Sequence, residues 1–474
     1  MIARRRWLAP VLCAAAGVPL LLPASAQAHG IVGRADLPVP TWLFSWAAAV
    51  VLILSFVALS VLWTRPQLQT EARVRLFRSR TLFAFLSLIG VGLFAVVVYS
   101  GFEGTAIWSA NFSVTFIYVI FWVATPLASV LLGDVFRALS PWRSCARVIR
   151  AAGRRIAPRQ FARPPLRYPA RLGQWPAVAG LIGFAWLELV YVERDDPSKL
   201  AALSLAYFVV MVGGMLLFGV EEWGEQADGF GVYFNLLSRM SPLCADGDGV
   251  VYRRRPLSGL AGMPVRPGTV ALVCTVIGTT TFDGLSNGVV WRKLEPHLQT
   301  FFSDLGLHAT PATELAYSAG LLFSVLLIGA VYRLGIRGVR TVSARYSESE
   351  LSRSFAHTLV PIGFAYVLAH YFSLLIWQGQ AIGYLASDPL GNGTNLFGTS
   401  SYTIDYAIIS YAAIWYVQVA ALVVGHVGGL TLAHDRALSI YRNPQEAVRS
   451  QYWMLTVMVG FTSFGLWLLS AVGT

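Results

Sequence analysis

The stretch VALVCTVIGTTTFDGLSNG, from Val270 to Gly288, starts as an apolar run and ends in polar residues around Asp283. A helix needs about 20 mainly apolar residues to cross a bilayer. A carboxylate inside such a helix is costly, because hydrocarbon does not replace the water that solvates it, and intramembrane acids are therefore functional candidates. The stretch predicts a membrane-spanning helix that carries a functional acid.

The rest of the chain has the same apolar character. Of its 474 residues, 56% are hydrophobic and only 13% are charged, and the mean hydropathy is +0.59. A soluble protein of this length would need far more polar surface. We therefore predict an all-α, polytopic membrane protein with about ten transmembrane helices in a single transmembrane domain. The predicted spans are about 42–64, 81–100, 114–134, 176–192, 199–219, 269–287, 312–335, 356–379, 406–430 and 452–471.

The net charge of +12 is explained by topology rather than by nucleic-acid binding. Arginines are concentrated in alternate connections between the predicted spans, such as RVRLFRSR (73–80) and the basic segment 135–175. This asymmetry follows the positive-inside rule, so we predict that these connections are cytoplasmic. After the leader, the connections on the opposite side hold only Arg34, Arg194, Lys199, Arg292 and Lys293.

The N-terminus has the pattern of a secretory leader. A basic MIARRRW segment is followed by an apolar region and by the small-x-small pattern Ala26-Gln27-Ala28. This arrangement predicts a cleavable signal peptide over residues 1–28. The mature chain, 29–474, would begin at His29 outside the cell membrane, and ten spans would bring the C-terminus to the same side.

An internal repeat places a second acid at the position equivalent to Asp283. The segment YPARLGQWPAVAGLIGFAWLEL, from Tyr168, aligns with MPVRPGTVALVCTVIGTTTFDG, from Met263, so that Pro, Arg, Gly and Ile-Gly positions match and Glu188 falls on Asp283. We therefore predict a fold built from repeated helical hairpins, which often places sites between repeats. Both acids would lie in the outer half of the membrane. The alternative role for them is local, as helix caps or as partners of nearby Thr and Ser hydroxyls.

Histidines supply further candidate site residues. His370 lies at nearly the predicted depth of Asp283 and Glu188, and neutral imidazole with carboxylates suits a divalent metal such as Zn. His29 would be the mature N-terminal residue, and its amine and ring together could chelate Cu. We predict Asp283 and Glu188 as catalytic groups and these four residues as metal ligands. The alternative for His370 is a buried, hydrogen-bonded side chain.

Other polar segments are expected to be structural. His357 begins the eighth predicted span, and His426 and His434 lie at the cytoplasmic end of the ninth, where their spacing of eight is a poor geometry for sharing one ion. We expect structural roles for all three. LAHDRALSIYR, from Leu432, is typical of a charged helix exit. The segment WRKLEPHLQTFFSDLGLHATP, from Trp291, predicts an interfacial helix with its aromatic side chains at the lipid headgroups.

Three motifs together resemble one family. The leader end AHGIVGRADLPVPTWLF, the span with TTTFDGLSN and the segment GHVGGLTLAHDRAL are similar to actinobacterial polytopic membrane proteins labelled fenitrothion hydrolase. That label comes from a membrane-bound organophosphate hydrolase with two unlike subunits. The resemblance implies hydrolysis of a small apolar substrate and a possible second membrane subunit. It carries no assigned catalytic residues.

Several functions are therefore compatible with the sequence. The enzyme hypothesis is metal-assisted hydrolysis of an organophosphate triester in the outer half of the membrane, or hydrolysis with a carboxylate as general base. The alternative is an ion- or proton-coupled transporter of a small molecule or metal that uses the same acids. A third hypothesis is a non-catalytic membrane subunit of a complex. Whether the chain is an enzyme stays open at this point.

Overall fold

A computed structural model describes residues 41–342, 345–441 and 443–471. The predicted signal peptide, its predicted cleavage site and His29 lie outside these residues. The chain divides into two compact units. Unit 1 comprises Met1–Thr70, Val273–His370 and Ile409–Thr474, and unit 2 comprises Glu71–Leu272 and Tyr371–Ile408.

The described chain is mostly helical, and a helix lies in each predicted span. The ten helices are α1 (Thr41–Leu62), α2 (Arg80–Glu103), α3 (Phe112–Leu132), α7 (Trp175–Leu189), α8 (Pro197–Phe218), α12 (Thr269–Ser286), α14 (Ala309–Arg340), α16 (Val360–Trp377), α18 (Tyr411–Ile440) and α20 (Tyr452–Ala471). Within the described residues, seven helices are long and apolar enough to cross a membrane, which is compatible with a polytopic membrane protein. The count of ten membrane crossings, the hairpin repeat and the sidedness stay predictions.

Shorter helices connect or flank these elements. They are α4 (Val135–Leu139), α5 (Pro141–Ile156), α6 (Pro158–Phe161), α9 (Val220–Gln226), α10 (Gly229–Ser238), α11 (Ser258–Ala261), α13 (Val289–Asp304), α15 (Glu348–Phe355), α17 (Ala381–Leu385) and α19 (Pro444–Ser450). In the described ranges, three short 3₁₀ turns occur at Trp108–Ala110, Ala356–Leu359 and Gln378–Gln380.

Unit 1 is a bundle of helices. In it α1 packs against α18 and α20, α14 packs against α13 and α20, and α18 contacts α20. Most α18 residues that face these neighbours are apolar or glycine, and Gly425 lies so close to Ala365 that an added Cβ would approach it to 2.2 Å. Small residues of this kind let helices approach closely.

One expectation in unit 1 is wrong. Trp291, which we predicted at the lipid headgroups, is buried, with only 2% of its surface exposed. Its ring packs edge-on against Phe282 and Tyr317, and it lies over Gly320 of α14. Because Gly320 has no side chain, the indole of Trp291 has room to pack against α14. Phe301 of the same helix is exposed, as predicted.

Unit 2 adds a small antiparallel sheet that the all-α prediction missed. Its strands are β1 (Val74–Arg78), β2 (Leu243–Ala245) and β3 (Val250–Arg253), in the order β1-β3-β2. The β2–β3 hairpin turns at Asp246, whose carboxylate accepts hydrogen bonds from the backbone N–H groups of Asp248 and Val250. These segments are rich in arginine, which indicated cytoplasmic connections and did not indicate strands.

A partly buried ion pair holds the sheet region together. Arg254, which follows β3, donates to Glu71 Oε1 at 2.7 Å and to the carbonyl oxygens of Ser238 and Ser241 at 2.7 and 2.9 Å. Burial alone would raise the pKa of Glu71, but the hydrogen bonds from Arg73 and Arg254 outweigh it and lower that pKa below 4.5. The basic residues in this part of the chain thus serve the fold as well as the predicted topology.

The third predicted span is irregular. Within α3, residues Phe116–Ala124 are π-helical, with ordinary α-helix on either side. The Thr125 hydroxyl donates a hydrogen bond to the carbonyl oxygen of Ile120, in the distorted segment, at 3.1 Å. Wide turns of this kind often occur at functional sites, because they change the direction in which side chains point.

Candidate functional site

Two of the predicted site residues form a direct pair in unit 1. His370 Nε2 lies 2.9 Å from Asp283 Oδ2. Asp283 is on α12, roughly 21 Å along the helix axis from Thr269 at 1.5 Å per residue, and His370 is on α16. The structure therefore places a carboxylate and an imidazole in hydrogen-bond contact inside two apolar helices.

The polar end of α12 also supports this acid locally. Asn287 donates from Nδ2 to the carbonyl oxygen of Asp283 at 2.9 Å and, more weakly, to its Oδ1 at 3.4 Å. The hydroxyls of Thr279, Thr280 and Thr281 instead donate to carbonyl oxygens of their own helix. Both the local partner Asn287 and the more distant His370 therefore contribute to the environment of Asp283.

A further motif lies beside this pair. Gly284 to Gly288 reads GLSNG, which has the G-x-S-x-G spacing of a nucleophile elbow. An elbow needs a sharp turn from a strand into a helix. Ser286 instead lies at the end of α12, and its hydroxyl donates to the carbonyl oxygen of Asp283 at 2.9 Å. The spacing is therefore present without the backbone that makes such a serine an exposed nucleophile.

Glu188 belongs to unit 2 and has a different partner. Tyr371 Oη donates to Glu188 Oε1 at 3.4 Å, a long hydrogen bond. Tyr118 and Tyr233 are also close enough to interact with this carboxylate electrostatically. Tyr371 follows His370 directly in the chain, so each predicted acid is paired with one of two consecutive residues. The sequence pointed to His370 but gave no reason to choose Tyr371.

The Asp283–His370 pair is not arranged as an open metal site. Zinc sites use at least three protein ligands at about 2 Å from the ion, whereas here a carboxylate oxygen and a ring nitrogen face each other at 2.9 Å. In the part of the chain that the structure describes, no group of three or more His, Cys, Asp or Glu residues could hold a metal ion. Because His29 lies outside the described residues, the predicted Zn or Cu centre stays a prediction, and the function proposed here does not depend on a metal.

The other histidines of unit 1 are buried in structural settings. His434 lies between Gln451 Oε1, 3.3 Å from Nδ1, and the carbonyl oxygen of Trp63, 2.9 Å from Nε2. His426 Nδ1 lies 2.7 Å from the carbonyl oxygen of Leu422. His357 is 2% exposed. These positions agree with the structural role expected for all three.

Asp435 is a buried acid that the sequence analysis did not single out. It is 0% exposed, and its carboxylate accepts hydrogen bonds from Trp63 Nε1, from the backbone N–H groups of Gln67 and Leu68, and from Gln69 Nε2, at 2.5–3.1 Å. The segment LAHDRALSIYR, which we predicted as a charged helix exit, forms the last turns of α18, which ends at Ile440 rather than at the predicted 430, and Asp435 is buried there. This acid ties the segment after α1 to α18.

Comparisons with protein-family models, curated proteins and solved structures found no match for the chain. The resemblance to fenitrothion hydrolases therefore stays an expectation drawn from sequence motifs. Function is inferred below from the geometry of the Asp283–His370 pair.

Proposed function

We propose that this chain is a multi-pass membrane protein that couples proton transfer at the Asp283–His370 pair to the passage of a small apolar molecule through the bilayer. The observation that carries the proposal is the 2.9 Å contact between Oδ2 and Nε2 within two apolar helices. Asp, Glu and His side chains inside membrane helices often form proton relays, because an ionisable group in hydrocarbon costs free energy.

The chemistry of the pair suits coupling. One proton shared between a carboxylate and an imidazole leaves the pair with no net charge, whichever atom holds the proton. A second proton, or the loss of the first, leaves an uncompensated charge in a medium of low dielectric constant, which costs free energy. Proton exchange at this pair is therefore favourable only together with another event that compensates the charge, such as a conformational change or the arrival of a ligand.

The pair is largely but not completely buried. The exposed fraction is 17% for the His370 side chain and 13% for the Asp283 side chain. A small accessible area allows protons to reach the pair while most of its surface stays shielded from bulk water. This combination is what alternating access to a central ionisable site requires.

A second candidate function is hydrolysis of an organophosphate triester. It is favoured by the same contact, because a carboxylate that orients an imidazole is the arrangement of a general base. In this reaction His370 would accept a proton from water, the water oxygen would bond to phosphorus, and the aryloxide would leave. Ser286 would not be the nucleophile, since its hydroxyl is directed to the backbone.

One experiment separates the two functions. Purified full-length protein is reconstituted into vesicles that contain the pH-sensitive dye pyranine, and paraoxon is added outside. Coupled transport predicts a change in internal pH without release of p-nitrophenol, whereas hydrolysis predicts release of p-nitrophenol. Either response should disappear in Asp283→Asn and His370→Gln variants. A wild-type protein that produces neither response would refute both proposals for this class of substrate.

Matched variants sharpen the result. Asp304 is an exposed acid at the end of α13 in the same unit, so Asp304→Asn should leave either response unchanged. Ser286→Ala removes the hydroxyl of the G-x-S-x-G spacing and should also be active if water is the nucleophile. Loss of hydrolysis in Ser286→Ala with retention in Asp283→Asn would assign the chemistry to the serine instead.

A further inference from the structure

Unit 2 contains a cavity of about 480 Å³ with an almost wholly apolar wall. Side chains from α2, the π-helical part of α3, α7 and α8 line it, together with Phe230 of α10. Ligand pockets in proteins have volumes of about 300–1,000 Å³, so this cavity has the size of a binding site. An empty apolar cavity costs stability because its lining lacks dispersion contacts on one side. An apolar occupant would restore those contacts.

Three polar groups at the wall have partners within the protein. Trp142 Nε1 donates to Asp228 Oδ2 at 2.6 Å, and Tyr207 Oη donates to Asp228 Oδ1 at 2.9 Å. Thr125 donates its hydroxyl to the carbonyl oxygen of Ile120. Because these donors are engaged within the protein, the cavity favours a hydrocarbon over a ligand that needs hydrogen bonds.

The wall of the cavity meets the surface of unit 2 at α7 and α8. Among the residues that line the cavity, Gly183 of α7 and Leu203 of α8 are exposed. Leu203 is 46% exposed, and a Cβ added at Gly183 would meet nothing within 4 Å. These two residues therefore mark the side on which a ligand would enter.

That outer surface is suited to lipid. Along α8, the residues Leu205, Val209 and Val210 are exposed at 41%, 62% and 57%. Large apolar side chains on the outside of a helix long enough to cross a membrane face hydrocarbon rather than water. The medium beside Gly183 and Leu203 would therefore consist of acyl chains, whose hydrocarbon matches the apolar wall of the cavity.

We propose that this cavity binds an acyl chain of a membrane phospholipid, which enters between α7 and α8. Burial of the chain fills the cavity and holds the π-helical segment of α3 against its neighbours. The site lies in unit 2 and does not depend on the Asp283–His370 pair or on the function proposed for it.

Photochemical labelling tests the site directly. The full-length protein is reconstituted into phosphatidylcholine vesicles that include phosphatidylcholine with a diazirine in the middle of one acyl chain, irradiated, digested and analysed by mass spectrometry. Ile117 and Phe230 are only 8% and 7% exposed but line the cavity, so adducts on them require a chain inside it. We expect adducts on both residues in addition to those on exposed Leu205. Adducts confined to exposed side chains would overturn the proposal.

Two glycines provide a matched pair of variants. A Cβ at Gly183 or at Gly213 would meet nothing within 4 Å, so Gly183→Phe and Gly213→Phe should both be accommodated, but only Gly183 lines the cavity. Gly183→Phe should abolish the adducts at Phe230, whereas Gly213→Phe should leave them at the wild-type level. Thermal unfolding curves establish whether both variants are folded. Equal labelling of Phe230 in two folded variants would also overturn the proposal. Gly183→Leu serves as a smaller block if the phenylalanine variant does not fold.

Discussion

His370 Nε2 and Asp283 Oδ2 lie 2.9 Å apart on α16 and α12 of unit 1. The contact joins residues that are far apart in the chain and that were each singled out from sequence for a different reason, one as an acid in an apolar run and one as an imidazole at similar depth. Their pairing turns two isolated candidates into one unit with a definite chemistry. It also implies that the two side chains act together.

The first prediction concerns that joint action. Asp283→Asn and His370→Gln should each lower paraoxon-dependent activity by about 10²–10⁴-fold, the usual contribution of acid–base groups. The double variant should be no worse than either single one, because residues that act as a unit are non-additive. Initial rates in reconstituted vesicles measure this. A loss of rate in the double variant equal to the product of the two single-variant losses would show that the two side chains act independently.

The second prediction concerns Asp435. Asp435→Ala should lower the free energy of unfolding by about 2–4 kcal/mol, because each buried donor left without an acceptor costs about 1–3 kcal/mol and water can reach some of them. Tryptophan fluorescence during thermal unfolding in detergent would report this as a lower apparent Tm. Asp248→Ala is the control, since that side chain is 71% exposed. Similar apparent Tm values for the two variants would show that the Asp435 network contributes little.

The third prediction concerns acid stability. The pKa of Glu71 is lowered below 4.5 in the folded protein. Its ionised form therefore contributes stability that is fully present above pH 4.5 and is lost as the pH falls through the folded pKa. The apparent Tm of Glu71→Gln should change less than that of wild type between about pH 5 and pH 3.

A comparison within unit 2 completes this test. Glu103 is exposed at the end of α2, and Glu103→Gln should follow the wild-type curve. Curves of the same shape for wild type and Glu71→Gln would mean that the Glu71–Arg254 pair does not govern acid sensitivity.

The fourth prediction concerns packing over α14. A Cβ at Gly320 would approach Phe282 and Trp291 to 2.4–2.5 Å, whereas at Gly329 it would meet nothing within 4 Å. Gly320→Ala should therefore destabilise the protein by about 1–3 kcal/mol through overpacking. Gly329→Ala should be neutral or slightly stabilising, because alanine favours helix. Apparent Tm values of the two variants decide the point, and a stable Gly320→Ala protein would show that the rings move aside easily.

Sequence patterns predicted the helices well and their surroundings poorly. Apolar runs located α12 and α16 because hydrophobicity over about 20 residues is a local property. The same patterns placed Trp291 at the headgroups and Asp435 in a charged helix exit, and both residues are buried. Both errors have the same origin, because the groups that enclose these side chains come from other elements of the chain. Trp291 packs over Gly320 of α14, and Asp435 accepts hydrogen bonds from the segment after α1.

The amino-acid sequence by itself determined the helical class, the approximate limits of the long helices, and Asp283, Glu188 and His370 as the polar groups within them, since these depend on composition and local periodicity. Only the tertiary structure decided that Asp283 pairs with His370 and that Glu188 pairs with Tyr371. It also decided that residues of α7 and α8 line a cavity in unit 2. The reason is that the rotation of a helix about its axis sets where each side chain points. That rotation is determined by packing against helices far away in the chain, which a local pattern does not encode.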